Sequence, residues 1–239
     1  MLTYGVIFPV YNEEKRLENG INRAYSYIKD LGIRFVILVV DNGSTDCTRE
    51  IAEGLCRKYP EVNYLRLEEK GVGIAFKSGV SIIDTDIVGY IDIDLAVDIC
   101  YLSTVVSCFE NNPNVDIVNT SRFNRQSVTH GRKWYRNIMS YGLLIILKVF
   151  LGMKASDALC GFKFFKKKVV DKLLRESADE KGWFLIIEML VRAERNNARI
   201  VELPVEYYDD ADNSKVKIVD TIIDYLKHIK RLRNSFEKF

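Results

Sequence analysis

Residues 33–46 read IRFVILVVDNGSTD, and this stretch decides the fold. Ile33 to Val40 form an almost uninterrupted apolar run, the pattern of a strand buried on both faces of a parallel sheet. The polar DNGSTD after it makes a turn in which Thr45 or Asp46 caps the next helix, and Ile51 and Leu55 mark that helix's inner face. The preceding segment repeats the theme. YGVIFPV is a short apolar run, Asn12 is a candidate N-cap, and Glu13 and Glu14 suit a first helical turn. Leu17, Ile21, Ile28 and Leu31 then recur at helical spacing before Gly32. VNYLRL, a helix around residues 75–83, IVGYI and VDIVNT extend the alternation through the first half of the chain. Alternation of this kind predicts an α/β fold, a Rossmann-like, mostly parallel sheet flanked by helices. Ligands in such sheets sit at the carboxyl ends of strands.

Those ends carry polar residues. Pro9-Val10-Tyr11-Asn12-Glu13 follows the first strand, Asp41 to Asp46 the second, and YIDIDLAVD at residues 90–98 closes the fourth. In that last run Asp92 and Asp94 alternate with Ile91, Ile93 and Leu95, so both carboxylates share a face, about 6–7 Å apart. Two like charges beside an apolar core are costly unless a cation or donors compensate them. The alternative is a strand end at which the acids meet solvent or cap a helix.

Composition narrows the class. The 239 residues, 48% hydrophobic, suit one large α/β domain or a domain with an appendage, and a net charge of +2 gives no electrostatic case for nucleic acid. Five cysteines form no CxxC pair, and with two histidines they make a zinc site a poor fit. The N-terminus lacks a secretory pattern, and the apolar run YGLLIILKVFLG is too short to span a bilayer. A cytoplasmic protein, soluble or attached to the membrane surface, is expected. Beyond residue 120 come a basic segment, SRFNRQSVTHGRKWYRN, an apolar helix at 138–151, helices near 166–177 and 183–196, strand-like RIVELPVEY and a final helix.

FPVYNEE, VVDNGSTDCT, EKGVGIAFKSG, DIDLA, SRF, RNIMSYG and DALCGFKFF occur in an order that resembles family-two inverting glycosyltransferases of the GT-A fold. The similarity is greatest to dolichyl-phosphate mannose and glucose synthases and covers roughly residues 3–216. It implies a GT-A domain over residues 1–214 and a basic amphipathic helix over 215–239. It also implies that Asp92 and Asp94 bind Mg²⁺ or Mn²⁺ at the donor's diphosphate, a cation class that oxygen ligands suit. Pro9, Tyr11 and Glu13 would line the nucleoside pocket, and Asp41 would contact base or ribose. Gly71 and Gly73 allow close backbone approach at a helix N-terminus that favours anions, or merely punctuate helix entry. Lys70 adds charge there or is solvated. Arg122 and Arg136 match arginines that face the acceptor phosphate and the donor, or belong to a solvated basic loop; Asp157 would orient the sugar or those arginines, or merely cap a helix, and Lys215 would reach the diphosphate. The sequence departs from the family at Asn42, usually an aspartate, and at Ala96, usually a glutamine; Asp98 is a candidate substitute for the latter.

Relatives that glycosylate a hydroxyl carry an aspartate where this chain has Leu185, Ile186 and Ile187, with Glu188 beside them. A hydroxyl acceptor must lose a proton in the transition state. A phosphate monoester, with a second pKa of about 6, is already ionised at neutral pH. The expected reaction is therefore metal-dependent hexose transfer from GDP-mannose or UDP-glucose to a polyprenyl phosphate at the cytoplasmic face of a membrane. Contact would be made by the 138–151 helix, by the tail with Lys227, Lys230, Arg231 and Arg233, or through a membrane-protein partner. The competing readings are a soluble transferase acting on a glycan or small-molecule hydroxyl and a sugar-nucleotide-binding regulator without turnover.

Overall fold

A computed structural model of the chain describes residues 1–209 and 218–237. The first half runs β1 (Thr3–Val10), α1 (Leu17–Asp30), β2 (Arg34–Asp41), α2 (Thr48–Lys58), β3 (Val62–Arg66), α3 (Val72–Ile82), β4 (Ile87–Ile91), α4 (Tyr101–Asn111) and β5 (Ile117–Ser121). The second half runs β6 (Val128–His130), α5 (Trp134–Leu151), β7 (Phe162–Lys166), α6 (Lys167–Glu176), α7 (Phe184–Arg195), β8 (Ile200–Pro204), β9 (Glu206–Tyr208) and α8 (Ile218–Phe236).

Seven strands form one sheet in the order β3-β2-β1-β4-β7-β5-β8. All neighbours are parallel except β7, which runs antiparallel to both β4 and β5. β6 and β9 pair separately beside the carboxyl ends. Strand order reverses around β1, so the crevice of an open α/β sheet falls outside the ends of β1 and β4. α1, α2 and α4 cover one sheet face through Leu17, Leu55 and Val105. The other face is covered by α3 and α5 to α8, through Phe76, Leu147, Val170, Phe184 and Tyr225.

Two local expectations are corrected, and one unassigned segment gains a structure. Asn12 does not cap α1: it takes a left-handed φ of 54° and joins the neighbouring loop, and the helix starts five residues later, after a turn closed by Arg16 and Leu17 N–H groups on the Glu13 carbonyl. β4 ends at Ile91, so Asp92 and Asp94 lie in a turn rather than on a strand, with Leu95 N–H donating to the Asp92 carbonyl and Leu95 at φ 51°. The GFKFF stretch is the antiparallel strand β7, with Phe162 and Phe164 in one core and, by alternation, Lys163 and Phe165 facing the other side.

The tail helix packs on the domain. Tyr225, Ile229 and Leu232 are buried, Phe184 meets Tyr225 edge-on, and Arg195 lies over the Phe236 ring at 3.8 Å. The apolar stripe expected to meet a membrane is, over its described part, used inside the protein; Lys227, Lys230 and Arg233 remain exposed. Arg231 pairs with Glu188 at 2.7 Å.

Candidate active site

The loops after β1 and β2 are tied together. Asn12 N–H donates to Ser44 Oγ (2.9 Å), Thr45 N–H to Asn12 Oδ1 (2.8 Å), and Glu13 N–H to Thr48 Oγ1 (2.8 Å). Glu13 also holds Arg16 in a two-bond pair of 2.8 and 2.9 Å. Asn42 explains its departure from the usual acid: its amide donates to the Val10 carbonyl and accepts from Gly71 N–H, a bridging role that needs both a donor and an acceptor. Asp41 is fully buried, with its carboxylate accepting from Ser44 N–H (2.8 Å), Tyr64 hydroxyl (2.7 Å) and Arg66 (3.3 Å). It organises the pocket floor from beneath and presents no exposed edge to a base or ribose. Lys70 lies over the Tyr11 ring at 3.6 Å, which joins two expected pocket residues as a cation–π pair.

The glycine turn has a cause other than the one expected. A Cβ on Gly71 would lie 2.2 Å from the Lys181 carbonyl oxygen, and Gly73 N–H donates to that same oxygen at 2.9 Å. The turn approaches protein backbone this closely, and the Gly73 and Gly71 amides are already engaged by Lys181 and Asn42. The anion-cradle expectation for this turn is corrected accordingly.

Asp92 and Asp94 sit at the ends of the β1–β4 crevice. Asp92 lies against Gly161, where a Cβ would fall 1.7 Å from Asp92 Oδ2, so only glycine leaves room for this carboxylate. Burial, and then the Asp94 charge, push the Asp92 pKa up to about 8, while Lys163 and Arg122 oppose the shift. Asp94 opens to the cleft and accepts from Ala96 N–H at 3.1 Å, yet lost hydration raises its pKa too. One carboxylate held in a glycine-shaped recess and a second, more open one two residues on, both oxygen donors, fit a hard divalent cation. Asp98 does not replace the missing glutamine, because it accepts from Cys100 N–H ahead of α4 and pairs with Arg23.

Across the cleft Arg122 and Asp157 are both buried. Arg122 Nε donates to Asp157 Oδ2 at 2.7 Å and Nη2 to Oδ1 at 2.9 Å. Burial alone would raise the Asp157 pKa, but the Arg122 guanidinium holds it at about 2. Arg136 pairs with Asp209 at 2.9 Å and Arg132 with the same carboxylate at 3.3 Å. The Tyr207 ring lies 5.1 Å from Arg122 and 5.9 Å from Arg132, joining the arginines into one cluster. Beyond burial and the Asp94 charge, Arg122 works to lower the Asp92 pKa, while Glu13 and Asp209 raise that of Asp94 and Arg16 lowers it.

Sequence reasoning missed Asp209, Arg132 and Lys163. Lys163 is a fully buried lysine whose ammonium donates to the Cys160 carbonyl, which also accepts from the Tyr90 hydroxyl at 3.3 Å. Burial lowers its pKa, while Cys160, Asp157 and Asp92 work the other way. A lone charge inside an apolar strand, FKFF, was the available signal. Glu188 is fully buried and accepts from Ala178 N–H, Arg192 and Arg231, so it is a structural hub. Lys215 lies outside the described residues.

Residues 5–174 match the family model described as Glycosyl transferase family 2. The chain is 30% identical to a dolichyl-phosphate beta-glucosyltransferase of Trichomonas vaginalis, over 89% of this chain and 68% of the relative. It is 28% identical to dolichol-phosphate mannosyltransferase of Pyrococcus furiosus, over 95% of this chain and 62% of that protein. Glycosyltransferase AglD of Haloferax volcanii is 28% identical over 95% of this chain, which spans only 36% of that longer protein. Among solved structures, glucosyl-3-phosphoglycerate synthase from Mycobacterium tuberculosis bound to UDP superposes with a TM-score of 0.70 at 19% identity, covering 98% of this chain and 79% of that one. The same enzyme is known with Mn²⁺, UDP and phosphoglyceric acid.

Proposed function

The chain belongs to glycosyl transferase family 2, and from that premise we propose that it transfers one hexose, with inversion, from a nucleotide sugar to a polyprenyl phosphate. The donor is GDP-mannose or UDP-glucose, in keeping with the names of the dolichyl-phosphate relatives. The observation that carries the acceptor half is the arginine cluster: the buried Arg122–Asp157 pair, Arg132 and Arg136 sharing Asp209, and the Tyr207 ring beside both Arg122 and Arg132.

Asp92 and Asp94 would hold Mg²⁺ or Mn²⁺, which supplies Lewis-acid neutralisation of the departing diphosphate. Tyr11, Lys70, Pro9 and Glu13 form the nucleoside side of the cleft, over a floor that Asp41 braces. Asp157 fixes the Arg122 fork and leaves Nη1 to bond an acceptor phosphate; Arg136 supports it from α5. The acceptor's ionised oxygen then attacks the anomeric carbon as the bond to the diphosphate breaks on the opposite side. No proton needs removal, which suits a chain whose Glu188, beside the position of the relatives' aspartate, is locked in ion pairs.

α5 provides the route to a lipid. Trp134, Ile145 and Val149 are 74%, 61% and 72% exposed, and Ile138 and Tyr141 lie on the same apolar face; Phe150, near the helix end, is exposed on another side. Lys148 on α5 borders that face with positive charge, Arg233 lies 6.0 Å from the Phe150 ring, and the helix starts beside Arg132 and Arg136. An apolar stripe edged by cations lies naturally in an anionic bilayer surface. No helix among the described residues is long and apolar enough to cross a membrane.

A donor panel assayed with a polyprenyl phosphate, a soluble phosphorylated or carboxylated acceptor and a free glycan tests the proposal. Transfer to the lipid phosphate supports it. Efficient transfer to either soluble acceptor with none to the lipid would replace it with a soluble transferase.

A further inference from the structure

Three guanidinium groups make up the arginine cluster, and among the described residues only two carboxylates pair with them. Arg122 is fully matched by Asp157 through bonds of 2.7 and 2.9 Å. Arg132 and Arg136 share Asp209, and Arg136 is the better served: its Nη1 donates to both carboxylate oxygens, at 2.9 and 3.2 Å. Arg132 has one bond to Asp209 at 3.3 Å, one to the Arg136 carbonyl at 3.4 Å and a short one of 2.8 Å to the uncharged Ser140 hydroxyl. Its Nε is sealed from solvent and has no hydrogen-bond partner among the described residues. The side chain is nevertheless only 8% exposed. A guanidinium keeps its charge at any working pH. A buried charge with a shared counter-ion is unfavourable, and so is a buried N–H with no acceptor. The surplus charge and the idle donor fall on the same residue, and an anion would satisfy both.

We propose that Arg132 is a specificity residue of the acceptor site, supplying the second positive charge that makes this site select a phosphate carrying two negative charges. The inference rests on the phosphate acceptor proposed above, to which Arg122 offers Nη1. Arg122 and Arg132 lie beside the same Tyr207 ring, at 5.1 and 5.9 Å, so the two charges serve one region. One guanidinium balances a singly charged anion such as a phosphodiester or a carboxylate. A monoester ionised twice, with a second pKa of about 6, calls for two. Arg136 is a poorer source of that second charge, because Asp209 already bonds it at close range. Arg132 also stands between β6 and α5, just ahead of the helix proposed to meet the bilayer, where a lipid's charged end would arrive. The same contacts admit a plainer duty, in which Arg132 ties Asp209 to Ser140 on α5 as a strut. A strut is indifferent to the number of charges on the ligand, and that separates the two roles.

The test compares a short prenyl phosphate with its methyl diester, which keeps the chain but carries one charge. Binding of each to wild type, Arg132→Gln and Arg132→Lys is measured by calorimetry with Mn²⁺ and nucleoside diphosphate present, from about pH 5 to about 8. Transfer to the monoester, donor affinity and thermal unfolding are followed alongside. At the upper pH wild type should bind the monoester at least about tenfold more tightly than the diester, and should lose that preference as pH falls through about 6. Arg132→Gln should bind the two ligands within about threefold of each other at every pH, with donor affinity unchanged. Arg132→Lys restores the charge without the fork and should recover most of the preference, as a broken strut would not. Absence of the preference in wild type, or a folded Arg132→Gln that keeps it, overturns the inference and leaves Arg132 a strut. Should Arg132→Gln not fold, Asp209→Asn decides. It removes a counter-charge, so the preference should widen, and an unchanged preference overturns the inference. If wild type transfers to no phosphate monoester, the acceptor reading fails and this inference with it; if it transfers and Arg132→Gln still discriminates, only the inference fails.

Discussion

Arg122 and Asp157 face each other as fork and carboxylate, at 2.7 and 2.9 Å, with both side chains almost wholly removed from solvent. Breaking such a pair from one side leaves a buried charge alone, at about 3–5 kcal/mol. Asp157→Asn should therefore lower stability by roughly that amount and disable transfer. The double change Arg122→Met with Asp157→Leu should recover much of the stability and none of the activity. Chemical denaturation beside an activity assay checks this; an active double variant would remove Arg122 from the site.

Asp94 is the more open of the two crowded acids. Asp94→Asn should abolish most turnover and weaken Mn²⁺-dependent donor binding while leaving the melting temperature near wild type. Calorimetry with chelated and metal-restored protein reads both effects. Equal activity of variant and wild type after metal restoration would end the metal assignment.

The pKa of Asp92 near 8 in the fold, against roughly 4 in an unfolded chain, sets a pH dependence with a definite sign. Between those values the folded protein retains a proton that the unfolded chain has released, so this group's contribution to stability falls as pH rises. In metal-free protein, wild type should lose stability relative to Asp92→Asn from about pH 4 to about 8, and the difference should level off above that. Stabilisation by Mn²⁺ should grow over the same interval. Parallel melting curves for the two proteins would refute the shift.

The α5 face makes a prediction that separates packing from association. Ile145→Glu with Val149→Glu alters side chains that are mostly in solvent, so stability should change by less than about 0.5 kcal/mol. Sedimentation with anionic vesicles should fall several-fold, and transfer to a bilayer-borne acceptor with it, while a short water-soluble phosphate acceptor is unaffected. If vesicle binding is unchanged but the protein shifts from dimer to monomer, the face is a self-association surface.

Asp41→Ala should act through the fold. Its removal takes the acceptor from the buried Ser44 amide and the partly buried Tyr64 hydroxyl, at about 1–3 kcal/mol for each buried group left unsatisfied, while Arg66 keeps the Ser44 carbonyl. Loss of nucleoside affinity should therefore come with a lower melting temperature. Weaker binding at unchanged stability would restore a direct contact.

The alternating half of the chain was legible because each strand and helix there carries its own period, as IRFVILVV does for β2. β7 was not: five residues flanked by a loop give too short a pattern, and its place between β4 and β5 is fixed by pairing with segments about 75 and 45 residues away in sequence. The two crowded acids and two of the arginines were legible because their types stand at strand ends and in a recognisable order. Asp209 and Arg132 were hidden because they pair across 77 residues of sequence. Asp41 and the glycine turn were assigned to the ligand when their atoms are engaged by the protein, a distinction that only three-dimensional contacts reveal.

The Lys181 carbonyl that receives the Gly73 amide belongs to the short connection between α6 and α7, and the far side of that connection is gripped from α8. His228 reaches Glu180 at 2.9 Å, and Arg231 reaches Glu188, which in turn holds the Ala178 amide. Anyone trimming the chain to a minimal catalytic unit thus has little freedom at its C-terminal end. A cut ahead of α8 would uncover Phe184, leave Glu188 short of one cation, and release the backing on which the donor-side turn rests. The last helix is better treated as part of the tool than as its handle.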